Sequence, residues 1–135
     1  MTNPKLARDY LLRSQKRLKA VALLLAEESH ADVVRESQEV VELLLKGFLR
    51  SFGVPVPFSY DLSEVLGENA SRLPADVARL VPRWAEISKR LRKDRELAFY
   101  GSEDVTPSSF YTREDADGAL AMAREVLAGV EPWIR

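Results

Sequence analysis

Apolar residues recur at helical spacing along four stretches of this chain, and no stretch alternates convincingly as a strand would. At about 100° per residue, Ala7, Tyr10, Leu11, Leu18, Val21 and Leu25 share one face, with Lys5, Arg8, Lys16 and Lys19 opposite. Asn3-Pro4 ahead of this run offers an N-cap with proline at the first helical position, so a first helix is expected to run to about Glu28.

Ser29-His30-Ala31-Asp32 reads as a capping box for a second helix. Its core face holds Val34, Val41, Leu44, Leu45, Phe48 and Phe52; Arg35, Glu39, Glu42, Lys46 and Arg50 hold the other, and Gly53 supplies the stop. The turn between the two helices is very short, which predicts an antiparallel hairpin. Pro55 and Pro57 force Val54 to Phe58 into extended backbone. Ser59 or Asp61 is then expected to cap a short helix to Leu66, followed by a loop from Asn69 to Leu73.

Pro74 opens the next stretch, with Val77, Leu80, Val81, Trp84, Ile87 and Leu91 on one stripe. Pro82 inside it predicts a kink or restart. Gly101 to Tyr111 is a polar loop, and Thr112 with Asp115 caps a last helix. That helix has an apolar stripe of Ala116, Ala119, Leu120, Ala123, Val126, Leu127 and Val130, whose small residues allow a close helix approach. The expectation is an all-α, up-and-down bundle of four main helices plus one short helix, as a single domain over residues 1–135.

Composition narrows the chemistry. There is no cysteine and one histidine, His30, so thiolate sites, zinc sites and His-assisted triads are not expected, nor is any metal or cofactor. The net charge of −1 argues against a strongly basic nucleic-acid surface, but it conceals local patches. Residues 5–19 carry six basic side chains against Asp9 alone. Residues 83–95 carry Arg83, Lys89, Arg90, Arg92, Lys93 and Arg95 against Glu86 and Asp94, and residues 102–135 are net acidic. MTNPKLARDY carries charge where a secretory signal needs an apolar run, and Ala20 to Ala26 falls far short of the about 20 residues of a membrane span. A cytoplasmic protein without membrane contact is expected.

The basic run Lys89 to Glu96 is the strongest candidate site, since a cationic helix holds phosphates by charge-assisted hydrogen bonds. The plainer account is a solvated helix end, where cations suit the dipole. Arg95 stands apart, because it continues the Val77, Trp84, Leu91 line where an apolar residue is expected. A guanidinium there needs partners: an inner carboxylate, a cleft or a dimer seam. Gln38, Glu42 and Lys46 recur every four residues at the border of the second helix's core face, a row that surface ion pairing also accounts for. His30 follows an N-cap, where histidine is usually a surface residue. Tyr60, Tyr100 and Tyr111 fall at loop–helix junctions, where a ring packs and its hydroxyl meets water.

Taken in order, Glu36 to Gly47, Pro57-Phe58-Ser59-Tyr60-Asp61-Leu62, Arg95-Glu96-Leu97-Ala98-Phe99-Tyr100-Gly101 and Tyr111-Thr112-Arg113-Glu114-Asp115-Ala116 resemble the HEPN family, named for higher eukaryotes and prokaryotes nucleotide-binding. The resemblance covers essentially the whole chain and implies a helical bundle that is usually a homodimer. The family holds metal-independent ribonucleases of toxin–antitoxin systems, and non-catalytic RNA- or nucleotide-binding modules often paired with a small nucleotidyltransferase. Its ribonuclease motif is an Arg followed, after four to six residues, by a His. Arg95 matches the Arg, but Tyr100 stands in the histidine's place, and Tyr60 replaces a second common histidine. The resemblance therefore implies a non-catalytic module in which Arg95 and Arg92 contact phosphate, Tyr100 positions or stacks, Glu42 orients Arg95, and Lys46 and Gln38 complete the ligand-binding set. The alternatives are a helical partner of a nucleotidyltransferase with no ligand of its own, and a degenerate ribonuclease using Arg95 and Tyr100.

Overall fold

A computed structural model describes residues 3–56 and 61–134. Asn3 accepts the Leu6 amide at 3.1 Å and opens α1 (Pro4–Ala26), with Pro4 in the first turn as expected. The helix closes with the Ser29 amide on the Leu24 carbonyl and the Glu28 amide on the Leu25 carbonyl. This paired closure requires one left-handed residue, and here that residue is Glu28, at φ 59°. A side chain in that region costs about 1–2 kcal/mol. Against it stands the greater freedom of glycine in the unfolded chain, so Glu28→Gly is expected to stabilise the fold by about 0.5–1 kcal/mol. The urea midpoint should rise with an unchanged slope; a lower midpoint would refute the strain.

α2 (His30–Ser51) starts without the anticipated capping box. The Ser29 hydroxyl instead donates to Asp32 Oδ2 at 2.6 Å. The reason is local: the Ser29 amide, which Asp32 would have to accept, is already committed to closing α1. At the other end Gly53, at φ 78°, terminates α2 as expected, with the Gly53 and Val54 amides returning to the Arg50 and Leu49 carbonyls. α2 is the central rod, packed against α1 and the helices that follow it. It therefore buries Val33, Val40 and Leu49 beyond the single stripe read from periodicity. Its approach to α1 is close at Gly47, where a Cβ would stand 3.1 Å from Tyr10 Cβ.

The extended stretch expected through Phe58, and the cap candidate Ser59 with Tyr60, lie partly or wholly outside the described residues. Asp61 caps α3 (Leu62–Asn69), which runs past Leu66 and tightens into a single 3-10 turn where a loop was expected. Pro74 precedes the one-turn α4 (Ala75–Ala78), and the chain restarts as α5 (Val81–Lys93) with Pro82 in its first turn. α5 does not continue through Arg95. It stops at Asp94, and α6 (Arg95–Tyr100) begins directly after. Arg95 thus leaves the line of Trp84 and Leu91, with its side chain 39% exposed.

Gly101, at φ 72° and ψ −156°, turns the chain into a loop holding the one-turn α7 (Pro107–Phe110). The capping box before α8 (Arg113–Val130) forms in full: Thr112 Oγ1 accepts the Asp115 amide at 3.2 Å, and Asp115 Oδ2 accepts the Thr112 amide at 2.9 Å. The small-residue stripe of α8 packs on α2, and Gly129 admits the indole of Trp84. Trp84 meets the Phe48 ring edge-on, centroids 5.1 Å apart. Outside the core, Arg83 clasps Glu125 bidentately, at 2.9 and 3.1 Å, joining α5 to α8. The result is an all-α bundle whose long members are α1, α2, α5 and α8, with α3 the shorter one.

Candidate functional site

The break after α5 brings two short runs of charge against the N-terminal half of α2. Asp94 marks the break, and its Oδ1 accepts the Tyr111 hydroxyl at 2.9 Å. Burial, then the hydrogen bond and charge of Asp94, push the Tyr111 hydroxyl well above its ordinary range, so it remains a neutral donor. On the other side, Arg35 Nη1 donates to the Arg95 carbonyl at 3.2 Å. Arg35 Nη2 lies 3.1 Å from Glu39 Oε1, and its guanidinium sits 4.8 Å over the Phe99 ring.

These contacts frame a cleft of about 520 Å³ lined by Arg35, Arg92, Lys93, Arg95, Glu96 and Tyr100. Four cations against one carboxylate give it a net positive charge, and guanidiniums are groups that can grip a phosphate through paired donors. Tyr100 is 77% exposed and meets Phe99 edge-on at 4.7 Å, leaving its ring open to the cleft. Arg92 is tied to the cap of α3 through Asp61, at 3.7 Å. Burial raises the Asp61 carboxyl, but hydrogen bonds from the Ser63 hydroxyl and amide, with the charges of Arg92 and Lys89, outweigh it and hold the group below its ordinary value.

Three of the six candidates from the sequence, Arg92, Arg95 and Tyr100, meet in this cleft. Glu42, Lys46 and Gln38 do not line it. Glu42 pairs with Lys46 at 3.8 Å, and Lys46 borders a separate hollow of about 170 Å³ with Leu6, Tyr10, Arg50 and Val56. Gln38 is buried in the core. The carboxylate beside Arg95 is Glu39, one turn earlier than Glu42, with Oε1 4.0 Å from Arg95 Nε. Periodicity places Arg35 and Glu39 on the face away from the core and gives them no role. Their signal is nonetheless there, in opposite charges four residues apart, in register with Glu42 and Lys46.

Another hollow, of about 300 Å³, opens beside Tyr111 between α5 and α8. It mixes Arg90 with Asp94, Glu114 and Asp115 and gathers no net positive charge. His30, at the first position of α2, lines neither. Among the described residues no helix is long and apolar enough to cross a membrane.

Comparison with known proteins agrees with this architecture. The model of the HEPN domain matches residues 7–133. Among solved structures, the crystal structure of TT1696 from Thermus thermophilus is similar: 28% identity over 94% of this chain and 97% of that one, with a TM-score of 0.74. No curated protein matches the chain.

Proposed function

The chain belongs to the HEPN family, and from that premise we propose that it is a non-catalytic module binding the phosphates of a nucleotide or RNA in the cleft between α2, α5 and α6. The observation that carries this reading is the convergence of Arg35, Arg92, Lys93 and Arg95 around one hollow with an open tyrosine ring. The cations neutralise phosphate, and Tyr100 offers a face on which an unstacked base can lie. The cleft offers no imidazole, since the single histidine lies elsewhere. A proton-transfer pair of the family's ribonuclease kind is therefore missing, which supports binding over cleavage.

The test is a titration of the protein with ATP and with a short single-stranded oligouridylate at several salt concentrations. Binding should weaken steadily with salt. Arg95→Ala should lower affinity about 10- to 100-fold, the loss expected for a charge-assisted contact. Affinity indifferent to both salt and Arg95 sinks the proposal. RNA cleavage without metal, abolished by Tyr100→Phe, would replace it with the degenerate ribonuclease.

Self-association is part of the same proposal. Phe99, outside the lining of the cleft, is half exposed beside it, where a second copy would cover it and leave Tyr100 to the ligand. A nucleotidyltransferase partner is proposed on family membership alone.

A further inference from the structure

The cleft has a carboxylate behind it. Glu39 does not line the hollow, yet its Oε1 stands 3.1 Å from Arg35 Nη2 and 4.0 Å from Arg95 Nε. One oxygen therefore serves two guanidiniums that come from different helices. Arg35 is fixed at two further points, the Arg95 carbonyl and the Phe99 ring. Arg95 is thus held twice, through its backbone by Arg35 and through its side chain by Glu39.

A carboxylate here has two opposed effects on an incoming anion. It subtracts positive charge from the surroundings, which weakens attraction. It also fixes two long side chains that would otherwise lose their rotamer freedom only on binding. Several features favour the second. Glu39 is only 32% exposed, it lies outside the hollow, and it shares its oxygen with two arginines that enter the hollow. Resting on the reading that the cleft takes phosphate, we infer that Glu39 is a positioning residue: with Arg35 it holds the Arg95 guanidinium in place for the ligand.

The experiment is an oligouridylate titration of the intact chain and of Glu39→Gln, Glu39→Ala, Arg95→Ala and the Glu39→Ala/Arg95→Ala pair, each checked for an unchanged thermal midpoint. Glu39→Ala should weaken binding about three- to tenfold, the scale of one long side chain, that of Arg95, no longer pre-ordered. The salt slope should stay close to that of the intact chain, because the Arg95 contact still forms, whereas Arg95→Ala should lower it by about 0.7, one phosphate contact on a single strand. Once Arg95 is gone, removing Glu39 should cost little more, because Glu39 acts through it. A merely structural Glu39 would leave the two losses additive, and that result overturns the inference. So does tighter binding by Glu39→Gln, which keeps the shape and removes the charge, since Glu39 would then only repel the ligand. Wild-type protein that binds no oligouridylate at any salt overturns the phosphate reading itself, and this inference with it.

Discussion

Trp84→Ala is expected to remove about 3–5 kcal/mol of stability, the range for deleting a fully buried aromatic ring. A domain of this size holds only about 5–15 kcal/mol in all, so the variant should sit near the edge of folding at 37 °C. The indole is 2% exposed and packs edge-on against Phe48, which lies on the central helix. It also fills the space that Gly129 leaves open on α8: a Cβ there would stand 2.7 Å from Trp84 Cζ2. One ring therefore joins α5 to α2 and α8. Gly129→Ala alone should destabilise by forcing the ring aside, but in the Trp84→Ala background it should cost less or help, because its methyl enters the vacated space. Urea unfolding of both singles and the double measures this coupling. Strictly additive losses would show that the contact does not carry the energy assigned to it.

The second large effect is expected at Gly101. Its backbone, at φ 72° and ψ −156°, lies in a region that only glycine occupies freely. An added Cβ would also stand 2.5 Å from the Val105 carbonyl oxygen and 2.7 Å from Pro107 Cδ. Backbone and a proline ring cannot swing aside as a flexible side chain does. Gly101→Ala should therefore cost about 3 kcal/mol. Tyr100 immediately precedes this turn, so oligouridylate affinity should fall with stability. A thermal midpoint within about 2 °C of the parent would contradict the strain argument.

The sequence makes the helix ends legible wherever a residue type acts alone. Asn3-Pro4, Gly53, Pro82 and the Thr112–Asp115 pair each do what their local chemistry predicts. It fails where two local claims compete for one group: the Ser29 amide cannot serve both the end of α1 and a capping box. It also fails at Asp94, where no glycine or proline announces an interruption. The contacts made there are tertiary: the Tyr111 hydroxyl on Asp94 and the Arg35 guanidinium on the Arg95 carbonyl come from residues 17 and 60 positions away, beyond the reach of local pattern.

The candidate site shows the same division. The basic run and Tyr100 are readable because charge and exposure go together at a helix end. Arg35 and Glu39 are not, because a surface ion pair and a brace behind a cleft have identical spacing along a helix. The carboxylate that approaches Arg95 is Glu39, one turn from Glu42, and only the neighbouring helix distinguishes the two.

The interruption at Asp94 has a geometric consequence. Arg92 and Lys93 belong to one rigid rod, Arg95 and Tyr100 to the next, and a single residue joins them. The separation between the two halves of the cleft is therefore governed mainly by one angle, as in a pair of calipers. Tyr111 grips the joint from the side of α8, and Arg35 grips it from α2. The gauge of the cleft is thus set by Tyr111 outside it and Arg35 on its wall, residues that the rest of the bundle holds in place.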